Sequence, residues 1–442
     1  MNSANSGSNQ PASRKISFSN ILLALIIISA FILILDWGRS YAGFILVALS
    51  LPLVMCPASI VPLLFISSWS SSIAIISFSA FYYYLLLFVV SLIISRKQWT
   101  WMKGNNIPPV VISIFAVWLI VSGALGVTGD IYGPFKLSLC IVFPLICSKI
   151  RLKKTIFCDK AILYLSVILS IFFLVRALFF PIEFTVEDAV KTDFTVVKGM
   201  GTNCIGQVIV ILFLFSFCYF VSIREWTGVA ISLLYFATLL FLGSRTALYS
   251  SIILAGCFLV LNRGIGLKRK AIVLAICAVA LPLLFYISSG FENAGRLGIG
   301  TVVENQGSGR FINWAMYAVD IIPKHIVSGI GTGLDNFMEL GYSYDSDNLY
   351  MDLLCETGLP GFVFFFTIFV SLAVTLAKLP RTPHRKLLTY LLFSFLLTGM
   401  GESVFDNTLT WFVFGYVILS ANNLKFAAKR YKKNGKIFCV AG

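Results

Sequence analysis

The chain contains fourteen apolar runs, most of them separated by short polar connections. They cover residues 21–35, 41–55, 57–72, 75–95, 109–127, 132–148, 160–179, 204–222, 227–242, 246–262, 271–289, 359–378, 387–402 and 407–424. A helix of roughly 20 apolar residues is long enough to cross a bilayer. Several runs are shorter, and the two that meet at Met55-Cys56-Pro57 could form one broken span. We therefore predict an all-α polytopic membrane protein with 12–14 transmembrane helices.

Composition agrees with this class and argues against others. Hydrophobic residues make up 58% of the chain and charged residues 12%, which is too apolar for a water-soluble protein of this length. The net charge of +15 is explained by membrane topology, so we expect no nucleic-acid partner. Two histidines and ten cysteines without a CxxC pair do not provide the usual ligands of a zinc, haem or copper site. We predict no metal and no cofactor.

The basic residues alternate between successive connections. With the N-terminus in the cytoplasm, 25 of the 34 Lys and Arg residues fall in cytoplasmic segments and 7 fall outside. Lys136 and Arg176 lie within spans, near their outer ends. Of the 19 acidic residues, only Asp159 and Glu225 fall inside. This bias follows the positive-inside rule, so both termini are expected in the cytoplasm.

The same layout divides the chain into five segments. They are a cytoplasmic tail (1–19), a transmembrane bundle (20–289) with an outer loop at 180–203, a large helical outer loop (290–358), C-terminal transmembrane helices (359–424) and a basic cytoplasmic tail (425–442). Loops this long usually carry function, so we expect catalytic elements in the large outer loop. No internal repeat is visible, which argues against a transporter built from inverted repeats.

Two arginines on the predicted outer side are not explained by topology. Arg245 follows a tight Gly-Ser turn between two spans, where a guanidinium is a functional hypothesis by default. The alternative is an interfacial arginine that extends to lipid headgroups. Arg310 lies in the first turn of a helix predicted from the cap Ser308 to Ile322, before Pro323. A guanidinium at a helix N-terminus suits a phosphate ligand, and the alternative is a salt bridge within the loop.

A further helix is predicted to begin near Asp347 and to end at Gly358. Within it, Asn348, Asp352 and Glu356 share one face at i, i+4 and i+8. Asp347 is either an N-cap or a general base for a sugar hydroxyl. His325 is a second candidate base, although a packed loop residue is the simpler interpretation. The glycine-rich turn at 329–333 follows a helix and not a strand, so it does not indicate a dinucleotide site.

These motifs, in this order, resemble the O-antigen polymerase (Wzy-type) and O-antigen ligase superfamily of bacterial envelope glycosyltransferases. The resemblance covers most of the chain. Its elements are Thr202-Asn203-Cys204-Ile205-Gly206, the Ser-Arg turn at Arg245, Arg310-Phe311-Ile312-Asn313-Trp314, Pro323 to Gly329-x-Gly331, and Asp347-Asn348-x-Tyr350 to Glu356-x-Gly358-x-x-Gly361.

The resemblance implies a GT-C-like, metal-independent, inverting glycosyltransferase at the periplasmic face of the bacterial inner membrane. Its substrate would be an undecaprenyl-diphosphate-linked glycan, with membrane lipid, a chain-length regulator and a flippase as further partners. Family arginines that match Arg245 and Arg310 are thought to hold the diphosphate. The ligases have a histidine where this chain has Asp347, which favours a polymerase of O-antigen, capsular or exopolysaccharide repeat units.

Two alternatives stay open. A ligase would transfer the finished glycan to lipid A core or to a protein. A lipid-linked-oligosaccharide flippase or other transporter would place ionisable residues near the bilayer midplane, whereas those of this chain lie near the outer ends of the spans.

The predicted site follows from these motifs. Arg245 and Arg310 would stabilise the charge that develops on the leaving diphosphate, because guanidinium groups bind phosphate bidentately. Asp347 would deprotonate or orient the acceptor hydroxyl. The predicted substrate-binding residues are Lys136, Arg176, Asn203, Trp314, Asn348, Tyr350 and Glu356.

Overall fold

The computed structural model describes most of the chain, with gaps mainly in its connections and at both ends. The described residues are 18–35, 41–69, 74–75, 78–102, 109–153, 155–179, 202–223, 227–242, 244–262, 266–288, 310–342, 346–401 and 407–433. The predicted cap Ser308 and all of the 180–203 loop except its last two residues lie outside them.

Helices account for nearly all of the described structure. They are α1 (Phe18–Leu35), α2 (Tyr41–Ser50), α3 (Pro57–Trp69), α4 (Ala80–Ile94), α5 (Pro109–Leu125), α6 (Tyr132–Lys149), α7 (Thr155–Phe179), α8 (Thr202–Ile223), α9 (Thr227–Leu242), α10 (Arg245–Leu261), α11 (Leu267–Ser288), α12 (Arg310–Asp320), α13 (Ile322–His325), α14 (Leu334–Glu339), α15 (Leu349–Ala377), α16 (Pro383–Thr398) and α17 (Thr408–Lys433). Short 3₁₀ turns occupy Leu51–Met55 and Arg96–Gln98.

Each of the predicted apolar runs contains a helix, and the three additional helices, α12, α13 and α14, lie in the predicted outer loop. Several boundaries differ from the prediction, among them the start of α4 and the end of α17. The run at 75–95 begins with a small hairpin, in which β1 (Ala74–Ile75) pairs antiparallel with β2 (Phe78–Ser79), and α4 starts only at Ala80. Helix α17 extends to Lys433, nine residues past the predicted boundary at 424.

The described helices are consistent with an all-α membrane protein. Among the described residues, α15 is the one helix both long and apolar enough to cross a bilayer by itself, and shorter apolar helices accompany it. Large apolar side chains also face outward on several of these helices, including Leu86, Val117 and Ile171. Such a surface is normal where lipid replaces water as the solvent.

Contacts between connections define one end of the bundle. Strand β3 (Trp99–Trp101) pairs antiparallel with β4 (Ile150–Leu152), which joins the α4–α5 and α6–α7 connections. The Gln98 side chain donates to Met55 O, 2.8 Å away, and Asn422 of α17 donates to Ile150 O at 3.0 Å. We call this the basic end, because these connections carry lysines and arginines that the sequence layout assigns to the cytoplasm.

Described parts of three other connections meet at the opposite end of the same helices. Val127 N, in the α5–α6 connection, donates to Ile330 O in the large loop at 2.8 Å. Leu349 N, at the start of α15, donates to Gly399 O at the end of α16, also at 2.8 Å. We call this the loop end. Segments that the layout assigns to one side of the membrane are therefore in contact with one another.

Candidate functional site

Three short helices form a cap at the loop end. Helices α12, α13 and α14 fold over the first turns of α15 around a small apolar core of their own, made of Tyr317, Ile321, Ile330, Phe337 and Cys355. The predicted helix to Ile322 is wrong in its end point, because α12 stops at Asp320. Pro323 lies in the first turn of α13, where a proline is tolerated since that turn needs no N–H donor.

Backbone hydrogen bonds join the cap to α15 at a kink in that helix. The predicted helix end at Gly358 is confirmed, because Gly358 has the non-helical values φ 65° and ψ −176°; a second helical segment follows at once, and the two are joined in α15 across this kink. Ile330 N donates to Cys355 O at 2.8 Å, and Leu359 N donates to Ile326 O at 2.7 Å. A Cβ atom on Gly329 would overlap Glu356 O, so this glycine permits close backbone packing.

The α5–α6 region holds the same kink from its other side. Ser122 Oγ hydrogen-bonds to Ser328 O at 2.7 Å and to Glu356 O at 2.8 Å. Trp118 Nε1 donates to Thr357 O at 2.8 Å. No local sequence pattern predicts these contacts, because they join residues more than 200 positions apart.

Glu356, a predicted substrate-binding residue, is buried in this region. Its side-chain Oε2 accepts a hydrogen bond of 3.2 Å from Gly333 N, and the residue is 3% exposed. The carboxylate therefore holds the glycine-rich turn in place.

Arg310 and Asp347, two of the three predicted catalytic residues, form an ion pair. Arg310 Nε and Nη2 donate to the same oxygen, Asp347 Oδ2, at 3.0 Å and 2.9 Å. The side chains are 21% and 43% exposed, so the pair is accessible to a ligand. Asp347 has φ 47° and is the one non-glycine residue with positive φ in the described part of the chain. Such backbone strain is common at functional sites.

The residues beside Asp347 are fixed by a dense set of hydrogen bonds. Trp314 Nε1 donates to Ser346 O at 2.7 Å, and Ser346 Oγ donates to the buried Asp352 Oδ1 at 2.5 Å. Asn348, and not Asp347, is the N-cap of α15, because its Oδ1 accepts from Tyr350 N and Met351 N. The N-cap alternative for Asp347 is therefore wrong. Trp314 and Asn348 act here as supports of the Asp347 backbone.

Aromatic residues complete the surroundings. Tyr350 donates from its hydroxyl to Leu396 O at 2.9 Å and stacks on Phe366, with ring centroids 5.9 Å apart. Tyr342 hydrogen-bonds to Asp320 Oδ2 at 3.4 Å; burial raises the pKa of its hydroxyl above the ordinary value, and the charge of Asp320 raises it further.

Arg245 lies at the loop end too, as the first residue of α10, and is partly buried. Gly206 of α8 packs against Ser244, since a Cβ on that glycine would lie 2.5 Å from Ser244 Oγ. On the other side, a Cβ on Gly401 would overlap Thr246, so the first turn of α10 packs on the end of α16. Asn348 Nδ2 donates to Met400 O at 3.3 Å, which links this packing to the neighbour of Asp347.

The structure describes fewer contacts for the remaining predicted site residues. Lys136 lies on α6 with its ammonium 3.9 Å from the ring centroid of Tyr132, near the loop end. Arg176 and Asn203 belong to α7 and α8, and their side chains are outside the described part of the chain. No group of three or more His, Cys, Asp or Glu side chains that could hold a metal ion occurs within the described ranges.

Gln207 is a residue that the sequence reasoning missed. It follows Gly206 in α8, is 3% exposed, and neither its Oε1 nor its Nε2 has a hydrogen-bond partner among the described residues. A glutamine in an apolar run carries no spacing that would have singled it out.

A model of a known protein family matches part of the chain that includes this region. Residues 230–366 match the Wzy_C family model, described as O-antigen ligase, and this confirms the resemblance drawn from the motifs. The match runs from α9 into α15 and includes Arg245, Arg310 and Asp347. Members of this family are glycosyltransferase-like enzymes that act on lipid-linked glycans, and the match supports a ligase- or polymerase-type function in general. No match is found among the curated proteins.

Proposed function

We propose that this protein is a polymerase that joins undecaprenyl-diphosphate-linked oligosaccharide repeat units at the periplasmic face of a bacterial inner membrane. In this proposal the loop end faces the periplasm, the basic end faces the cytoplasm, and the chain crosses the membrane many times with both termini inside. The product is O-antigen, capsular or exopolysaccharide, and a flippase and a chain-length regulator act beside it.

The chemistry is an inverting glycosyl transfer. The hydroxyl oxygen of one lipid-linked unit attacks the anomeric carbon of another, and the bond from that carbon to the phosphate oxygen breaks. The electron pair of that bond leaves with undecaprenyl diphosphate, whose growing negative charge is stabilised by Arg245 and Arg310. Asp347 orients the attacking hydroxyl and takes its proton.

The observation that carries this proposal is the Arg310–Asp347 pair, since an accessible guanidinium lies directly against a carboxylate. A diphosphate that approaches the pair competes with Asp347 for Arg310, because phosphate offers the guanidinium the same kind of oxygen acceptors. Binding of the donor would then release the carboxylate toward the acceptor hydroxyl. Arg245 lies in the first turn of α10, where its neighbour Thr246 packs against Gly401, and the adjacent Met400 O accepts a hydrogen bond from Asn348.

The test is polymerisation by purified protein that receives lipid-linked repeat units, with glycan length measured on a gel. Arg310→Lys keeps the charge but loses the planar fork, and we expect it to lower the rate at least tenfold, since a charge-assisted hydrogen bond contributes about 1.5–3 kcal/mol. Asp347→Asn should lower the rate at least as much.

Lys324→Gln and Asp335→Asn are matched controls, because both side chains are exposed in the same loop. They should keep the activity of the wild-type protein. If Arg310→Lys polymerises as fast as these controls, the bidentate role of Arg310 is wrong.

A ligase is the second candidate, and the description of the matched family favours it. The two activities differ in the lipopolysaccharide of a deletion strain. Loss of a polymerase leaves core that carries one repeat unit, whereas loss of a ligase leaves bare core and accumulated lipid-linked polymer. A flippase would instead move labelled lipid-linked substrate across liposomes without a change in glycan length.

A further inference from the structure

A cavity of about 670 Å³ lies at the basic end, remote from the Arg310–Asp347 pair. It is bordered by the end of α10 and the start of α16, and its lining consists of Leu261, Asn262, Arg381, Arg385, Lys386, Thr389 and Tyr390. Three of these seven side chains are cationic, and none is acidic.

The positive-inside rule explains why cations occur at this end, but it does not explain why three of them border one cavity. Like charges repel, so their convergence is unfavourable unless an anion is shared. Within the part of the chain that the structure describes, Arg381, Arg385 and Lys386 form no ion pair with a carboxylate. The cluster therefore lacks a protein counter-charge among these residues.

Hydrogen bonds to neutral groups hold two of the cations at the cavity. Arg385 Nη1 donates to Leu379 O at 2.7 Å, which uses one of the five N–H donors of a guanidinium. Lys386 donates from its ammonium to Oδ1 of the buried Asn262, which is the C-cap residue of α10. Both cations are thus positioned and keep donors for a ligand.

The rim of the cavity is apolar on one side. Leu261 lines it and is 70% exposed, and its neighbour Val260 is 74% exposed. A ligand with a phosphate and an attached hydrocarbon chain matches this combination, because cations meet the phosphate while the exposed apolar side chains meet the chain.

We propose that this cavity binds the headgroup of an anionic phospholipid from the leaflet at the basic end, with its phosphate between Arg385 and Lys386 and its acyl chains along Val260 and Leu261. Tyr390 and Thr389 offer hydroxyl groups to the headgroup. The lipid supplies the negative charge that the described protein residues at the cavity do not, and it joins α10 to α16, both of which also form part of the loop end.

The test is a binding titration of purified full-length protein in detergent. The probes are phosphatidylglycerol, phosphatidylcholine with the same acyl chains, and inorganic phosphate. Phosphatidylglycerol should bind and raise the melting temperature, whereas the other two should not. Arg385→Gln together with Lys386→Gln should weaken phosphatidylglycerol binding roughly 30-fold, since each basic residue near an anionic lipid surface contributes about a fivefold change.

The matched control removes two exposed cations from the same end, with Lys429→Gln and Arg430→Gln on α17. It should bind phosphatidylglycerol like the wild type. Because Arg385 and Lys386 also support the fold, the exposed Arg381→Gln is tested separately and should weaken binding by a smaller factor. Equal weakening in the control, equal binding of phosphatidylcholine, or equal stabilisation by phosphate alone would each overturn the proposal.

Discussion

The geometry of the kink in α15 allows a quantitative prediction of the stability of the cap. In Gly358→Ala, the new Cβ would lie 2.6 Å from Val327 O and 2.9 Å from Gly329 N, both of which are backbone atoms that cannot turn away. The residue would also have to keep φ 65° and ψ −176°, a conformation that is almost restricted to glycine. Backbone strain and overlap therefore act together at this position.

The stability that the cap loses in Gly358→Ala follows from these two effects. The backbone conformation alone costs about 1–3 kcal/mol for a residue with a side chain. Relief of the overlap would break neighbouring hydrogen bonds, such as those from Leu359 N to Ile326 O and from Ile330 N to Cys355 O, at about 0.5–1.5 kcal/mol each. We expect the cap to lose about 3–5 kcal/mol of stability in total, which raises its open fraction by roughly two to four orders of magnitude.

Trypsin cleavage after Lys324 measures that opening, because this lysine lies in α13 within the cap. Two alanine variants serve as controls. Gly129 also has positive φ, at 64°, but nothing lies within 4 Å of its Cβ position, so Gly129→Ala should show the strain without the overlap. Gly256→Ala, in an open position on α10, should show neither. Cleavage in Gly358→Ala at the rate of Gly129→Ala would refute the overlap argument.

Three further predictions concern the supports of the Asp347 segment and the chemistry. Trp314→Phe removes the 2.7 Å hydrogen bond to Ser346 O, which should lower the local stability by about 1 kcal/mol. Hydrogen exchange across residues 346–352 should therefore become several-fold faster. Asn348→Ala removes the N-cap of α15 and should lower the melting temperature of the purified protein, with a loss of about 1 kcal/mol that Asn348→Asp largely restores. Polymerisation should continue after treatment with a chelator, because Arg245 and Arg310 supply the positive charge; activity that disappears and returns with Mg²⁺ would contradict this.

Much of the fold could be predicted because long apolar runs in the sequence indicate apolar helices. Every predicted run contains a helix, and connections assigned to one side of the membrane are in contact. The boundary at Ala80 could not be predicted, for a physical reason. Hydropathy does not distinguish a short hairpin from a helical turn.

The predicted site was harder to judge from sequence. Local sequence patterns indicate Arg310 and Asp347 as two separate catalytic candidates. Their pairing depends on how α12 folds back on α15. Trp314, Asn348 and Glu356 are predicted to bind substrate, whereas their described hydrogen bonds hold the protein backbone. Local sequence does not reveal which polar groups a distant segment will use.

The central claim is that Arg245 and Arg310 hold one lipid-linked diphosphate, and equilibrium binding of undecaprenyl diphosphate to purified protein tests it most directly. Arg245→Gln and Arg310→Gln should each weaken binding about 10- to 100-fold, since a hydrogen bond to a charged group contributes about 1.5–3 kcal/mol. Lys324→Gln should leave the affinity unchanged. Wild-type affinity in either arginine variant would contradict the claim.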